Sequence, residues 1–214
     1  MALIRRILDL SGAQCTADEF AAEWRAGVSE LAMLLRQGEQ GAAVRAKLVK
    51  SLQSMVPRLS ALLLFQSELC LAFVCRGLDG GNGGGGAPAQ AAVWDRTAES
   101  LRLTGEQAAT MSLMAELFLA FFADTERRRH AAAQLALSDP GDLCLQEGAV
   151  SGLEAAQAVY VVQVVAYWVV IITSLLSPEQ VAEILVQSWP HVPPLGGILD
   201  SCARVYAPYA HRPC

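Results

Sequence analysis

Four tetrapeptides with the composition of a helix capping box constrain this chain more than any other feature. They are Thr16-Ala17-Asp18-Glu19, Thr104-Gly105-Glu106-Gln107, Ser151-Gly152-Leu153-Glu154 and Ser177-Pro178-Glu179-Gln180. In a capping box, the first hydroxyl accepts a hydrogen bond from the backbone amide three residues later, and that later side chain accepts from the first backbone amide. Each tetrapeptide precedes an apolar segment, so the sequence predicts an all-α chain.

The first half of the chain, residues 16–76, is predicted to hold two long helices. Apolar residues recur every three or four positions along one helical face: Phe20, Trp24, Val28, Leu31 and Leu35. This helix is expected to end near Gly38. A second is expected to begin near Ala42, and Pro57 is expected to kink or split it, because proline lacks a backbone N–H. Beyond Pro57, the nearly all-apolar residues 59–75 are typical of a helix surrounded by neighbours.

The second half, residues 93–206, is predicted to complete the same bundle of about six to seven helices. A short helix from Val93 leads to the Thr104 cap. The next helix extends to Leu137 and becomes polar from Asp124, as expected of a helix that leaves a core. A turn and two further helices are predicted over residues 138–142, 177–188 and 195–206.

Glycine dominates the break between the two halves. Residues 77–92 are predicted to be a loop or tether, because residues 77–88 are too rich in glycine to fold alone. Residues 81–86 match G-x-G-x-x-G, but no predicted strand precedes them, so low complexity explains the match better than dinucleotide binding. The ends are predicted to be an N-terminal extension, residues 1–15, and a flexible tail, residues 207–214.

Residues 155–176 carry no formal charge and are rich in valine. They are long enough to cross a bilayer, which requires about 20 apolar residues. Two internal glutamines, Gln157 and Gln163, and the acidic flanks Glu154 and Glu179 favour a buried helix of a bundle instead. A membrane span stays as the alternative, and β-branched residues leave a strand pair as a smaller one.

The charge balance excludes direct recognition of nucleic acid. The chain has 16 Lys plus Arg and 21 Asp plus Glu, for a net charge of −5, whereas nucleic-acid modules carry a basic face. The run Arg127-Arg128-Arg129 is predicted to be a solvated helix face. The long basic helix of a leucine-zipper factor is absent from the sequence.

No catalytic, cofactor-binding or metal-binding residue is predicted. The sequence has no G-x-S-x-G motif, Ser151 is interpreted as a helix N-cap, and His130 is expected to be solvated beside the arginine run. Four residues near the C-terminus match no compact zinc motif: His191, Cys202, His211 and Cys214. The chain is therefore predicted to be a non-enzyme without cofactors.

The cysteines are expected to be reduced. They are irregularly spaced: Cys15, Cys70, Cys75, Cys144, Cys202 and Cys214. Residues 1–10 contain Arg5, Arg6 and Asp9, which leaves no apolar stretch typical of a secretory signal. A nuclear or cytoplasmic location is predicted, and a membrane location under the alternative.

Two segments repeat each other. Residues 101–109 and 174–182 each place leucine, a hydroxyl residue and Glu-Gln at a helix start; Trp94 precedes the first, and Ser188-Trp189-Pro190-His191-Val192-Pro193 follows the second. This pattern resembles the carboxy-terminal helical region of green-algal proteins, some of which carry a basic leucine zipper. It is distantly similar to the Delay-of-Germination domain of seed-dormancy proteins and TGA-type transcription factors, whose Phe-x3-Trp helix matches Phe20 and Trp24 and whose LTP-x-QA start matches residues 177–182. The resemblance implies a helical module related to transcription regulators.

The sequence therefore predicts a non-enzymatic interaction or regulatory module that binds a protein partner or itself, without direct nucleic-acid binding. The alternative is a single-pass or membrane-associated protein anchored by residues 155–176. The side chains expected to carry the bundle are Phe20, Trp24, Trp94, Leu117, Phe121, Trp168 and Trp189.

Overall fold

The described part of the chain folds into eight α-helices and one π-helical segment, without a strand. This computed structural model describes residues 2–12, 15–37, 41–67, 69 and 87–207. The helices are α1 (Ala2–Asp9), α2 (Ala17–Arg36), α3 (Ala42–Phe65), α4 (Ala87–Ser100), α5 (Gly105–Ser138), α6 (Leu143–Val170), α7 (Pro178–Gln187) and α8 (Leu195–Tyr206). The π-helical segment Ile171–Leu175 continues α6. The predicted all-α class is confirmed.

Three of the four predicted capping boxes form. The hydroxyls of Thr16, Thr104 and Ser177 accept from the backbone amides of the third helical residues at 3.3, 3.2 and 3.2 Å. The side chains of those third residues accept from the N-cap backbone amides in return. These caps start α2, α5 and α7, so each of these helix starts follows from local sequence chemistry.

The predicted box at Ser151 is wrong, because Ser151 lies inside α6. The N-cap of α6 is Asp142, whose carboxylate accepts from the backbone amides of Cys144 and Leu145 at 2.9 and 3.3 Å. The helix passes through Ser151 without interruption. The apolar segment predicted over residues 155–176 is therefore the second half of a longer helix that ends in the π-helical segment.

Helix α3 is continuous through Pro57, so the predicted split does not occur. Proline removes the N–H that would bond the carbonyl four residues earlier, at Gln53. That carbonyl instead accepts from Nη1 of Arg6, in α1, at 3.1 Å. Helix α1 lies in the predicted N-terminal extension, and it packs against α3 with Ile7 buried. Residues Ala2–Asp9 of the predicted extension are therefore a helix packed on the bundle.

Buried side chains from both halves form one hydrophobic core. Helix α8 packs against α4 and α5, and α7 packs against α2 and α3. Four of the seven side chains expected to carry the bundle are buried: Phe20, Trp24, Trp94 and Trp168. Phe121 and Trp189 are half-buried. Leu117 contradicts the expectation, because it is 53% exposed and its neighbour Phe118 enters the core instead.

The predicted tether, residues 77–92, and the predicted tail, residues 207–214, are described only in part. Helix α4 begins at Ala87, ahead of the predicted start at Val93. The remainder of the predicted tether, residues 77–86, and the tail from residue 208 lie outside the described residues.

Candidate functional site

The histidines and cysteines do not assemble into a metal site within the described residues. No group of three His, Cys, Asp or Glu side chains suited to a metal occurs there. His130 is exposed, as predicted, while His191 is half-buried and Cys202 is buried. His211 and Cys214, the other two residues of the rejected zinc set, lie outside the described residues.

We expect the described cysteines to differ sharply in reactivity. Burial raises the pKa of the Cys202 thiol to about 12, so near pH 8 it stays protonated and does not act as a nucleophile. Cys144 is exposed in the first turn of α6. Iodoacetamide near pH 8, followed by peptide mass spectrometry, should modify Cys144 in the native protein and Cys202 only after denaturant is added. Equal labelling of both in the native protein would contradict the buried position of Cys202.

A pair of glutamines lies at the junction of the two repeated segments. Nε2 of Gln107 donates to Oε1 of Gln180 at 2.9 Å, and Nε2 of Gln180 donates to Oε1 of Gln107 at 3.2 Å. Gln107 also donates to the Leu175 carbonyl at 2.8 Å, and Gln180 donates to the Leu101 carbonyl at 2.9 Å. Gln107 therefore links the capping box of α5 to the segment that precedes α7, and Gln180 links the capping box of α7 to the segment that precedes α5.

This glutamine pair explains the internal repeat in physical terms. Oε1 of Gln107 also accepts from the N-cap backbone amide of Thr104 at 3.0 Å. Oε1 of Gln180 accepts from the N-cap backbone amide of Ser177 at 2.9 Å. Both side-chain amides thus use two donors and two acceptor sites, the full capacity of the group. The repeated residues hold the starts of α5 and α7 together, and their role in this structure is architectural.

Helices α5 and α6 form a long antiparallel hairpin joined by residues 139–142. The ring of Phe118 meets that of Tyr167 edge-on at 5.5 Å, and Phe121 stacks on Tyr160 at 6.2 Å. Farther along, a guanidinium nitrogen of Arg129 donates to Oε1 of Gln157 at 2.5 Å. At about 1.5 Å per residue, the 34 residues of α5 extend about 51 Å.

One side of this hairpin packs on the bundle and the other is exposed. On α5, buried Met111, Ala115 and Phe118 face the bundle. Another set recurs at intervals of four and seven residues, which places it on the opposite side of α5 at about 100° per residue. We call this set the α5 stripe: Leu113, Leu117, Asp124, Arg128 and Leu135.

The α5 stripe continues onto α6 as an apolar surface. Val159 and Val170 are 50% and 49% exposed and lie on the side of α6 away from the buried residues Val164 and Trp168. The leucines of the α5 stripe are 40–56% exposed. The hairpin therefore presents one long face in which apolar side chains flank a charged pair.

That charged pair lies near the middle of the α5 stripe. Nε of Arg128 is 2.7 Å from Oδ2 of Asp124, and both side chains remain substantially exposed. The predicted solvated character of the arginine run applies to Arg127 and Arg128. Arg129 differs, because its guanidinium also lies over the ring of Tyr160 at 5.1 Å. The spacing of the α5 stripe is visible in the sequence, but it does not stand out there, because α5 is apolar nearly all round over residues 111–122.

Comparison with protein-family models, with curated proteins and with solved structures finds no match.

Proposed function

We propose that this protein is a non-enzymatic helical interaction module that pairs with a second copy of itself through the α5 stripe. The observation that carries the proposal is the row of half-exposed leucines on a hairpin whose other side is packed. Exposed apolar side chains that share one helix face, here on both sides of a charged pair, are typical of interaction sites on proteins. An antiparallel helix pair with one free face is half of a four-helix bundle, and a second hairpin completes it.

The order of residues along the α5 stripe favours a second copy over an unrelated partner. A twofold axis that crosses the stripe midway between Asp124 and Arg128 would place two α5 helices side by side and antiparallel. Asp124 of one copy then lies opposite Arg128 of the other, and Leu117 lies opposite Leu135. The same patch is thus complementary to itself in both charge and apolar character, as a twofold interface requires.

The regulatory role that the resemblance implies is kept in this proposal. A self-pairing module brings two copies of a complex together, with any DNA contacts supplied by a partner. The net charge of −5 supports DNA contacts by a partner rather than by this chain, because an acidic protein is repelled by the phosphate backbone.

Membrane association is the competing function. Three helices are long and apolar enough to cross a bilayer by length and composition: Ala42–Phe65, Gly105–Ser138 and Leu143–Leu175. The last contains most of residues 155–176, the membrane span that the sequence offered as the alternative. Its residues Trp168 and Ile171 lie in the same core as Trp24 of α2. Helix α2 exposes the charged residues Glu23 and Arg25. These charges favour self-pairing over a lipid-surrounded α6.

Self-pairing is tested by charge reversal. Asp124→Arg or Arg128→Asp alone places like charges opposite each other across the twofold axis, and each should weaken dimerisation at least about tenfold. The double variant Asp124→Arg with Arg128→Asp restores opposite charges and should recover the dimer. Sedimentation velocity over a concentration series measures all three, with His130→Asp as an exposed control off the α5 stripe.

A wild-type protein that stays monomeric throughout the series would overturn self-pairing. So would a double variant as weak as the two single variants. Flotation with phosphatidylcholine vesicles runs in parallel, and co-flotation of wild type that Leu117→Glu abolishes would establish the membrane alternative instead.

A further inference from the structure

A groove away from the hairpin opens between α1, α3 and the π-helical segment. Its volume is about 410 Å³, within the roughly 300–1,000 Å³ typical of small-molecule sites. Most of its lining is apolar: Leu3, Leu52, Val56, Pro57, Ile172 and Val181. A π-helical turn, which often marks a functional site, supplies Ile172 and Thr173 to one wall.

Arg6 is the charged residue in the lining of this groove. One of its guanidinium nitrogens donates to the Gln53 carbonyl that Pro57 leaves without a helical donor. This contact ties Arg6 to the wall of the groove. The guanidinium has five N–H donors, and that carbonyl is its one protein acceptor among the described residues, so most of its donors are available to a ligand.

The surface beyond Arg6 is predominantly basic. A second depression shares Arg6, Gln53 and Pro57 with the groove and is also lined by Lys50, Arg58 and Asp9. Arg58 is paired with Glu23 at 2.7 Å. Arg6 and Lys50 together still outnumber the single carboxylate of Asp9, which leaves this end of the groove suited to an anion.

We propose that the groove binds a free fatty acid, with its alkyl chain along the apolar wall and its carboxylate at Arg6. The choice of ligand follows from charge complementarity, because a mostly apolar groove lined by one guanidinium matches an amphiphile with one anionic end. Leu3, Val49 and Ile172, which are half-buried members of the lining, contact the chain. Gln53 keeps the guanidinium in place through its carbonyl.

Decanoate is the probe, titrated into the full chain by calorimetry below its micellar concentration. Wild type should bind one equivalent saturably. Arg6→Gln removes the charged donor and should weaken binding about tenfold or more. Arg5→Gln, an exposed neighbour outside the groove lining, is the matched control and should bind as wild type does.

A second variant tests the groove independently of α1. Thr173 is exposed at the wall, so Thr173→Trp should fill the space without disturbing the core and should abolish decanoate binding. Equal affinity of wild type for decanoate and decanol would overturn the role assigned to Arg6. Absence of saturable binding to wild type, or full binding by the folded Thr173→Trp variant, would overturn the site.

Discussion

Replacement of Gln180 by leucine is expected to lower the free energy of unfolding by about 2–4 kcal/mol. The change leaves the Ser177 amide, the Leu101 carbonyl and the side chain of Gln107 without their partner. An unsatisfied buried polar group costs about 1–3 kcal/mol. Because the site is only partly buried, we expect the total loss to be smaller than three such costs added together. Urea denaturation followed by circular dichroism measures the loss.

Gln187 provides a matched control in the same helix. It is exposed, and its side chain bonds only to Glu183 among the described residues, so Gln187→Leu should change stability by no more than about 0.5 kcal/mol. The double variant Gln107→Leu with Gln180→Leu should cost less than the sum of the single changes, because the two amides bond each other. Strict additivity, or equal costs at Gln180 and Gln187, would show that the glutamine pair does not form.

Phe118→Ala is expected to destabilise the protein by about 3–5 kcal/mol, as large-to-small changes in a core do. Phe118 is 4% exposed, and its ring meets Tyr167 edge-on at 5.5 Å. On its other side the chain of α8 approaches closely, since a Cβ added at Gly196 would lie 3.1 Å from Cε1 of Phe118. The cavity would therefore open between α5, α6 and α8. Thermal and urea unfolding both report this loss.

The adjacent residue gives the contrast. At protein concentrations low enough to keep the chain monomeric, Leu117→Ala should alter the free energy of unfolding by no more than about 0.5 kcal/mol, because the side chain is half-exposed. At higher concentrations it should weaken self-pairing. If Leu117→Ala were the more destabilising of the two, α5 would be rotated by about one residue, or 100°, and the α5 stripe would not be the free face.

Helix starts were predictable because capping is local. The boxes at Thr16, Thr104 and Ser177 need only residues within one turn. The box at Ser151 failed for a related reason: Asp142 caps the helix upstream, and a serine in an uninterrupted helix has no free amide to satisfy. The predicted turn over residues 138–142 ends at Asp142, so the true cap was visible in the sequence.

Which side of a helix faces the core was harder to predict. Helix α2 has a clear apolar stripe, and Phe20 and Trp24 are buried as expected. Helix α5 is apolar nearly all round over residues 111–122, so periodicity did not separate Leu117 from Phe118. Packing against α6 and α8 decided between them.

The sequence by itself determined that the chain is helical and where most of its helices begin, because those properties depend on neighbours within a turn. Only the tertiary structure decided which polar groups meet. The glutamine pair joins residues 73 positions apart, and the Arg6 guanidinium reaches a carbonyl 47 positions away. Such contacts arise only when helices pack, because local sequence, even where two segments repeat each other, does not state which groups packing brings within hydrogen-bond distance.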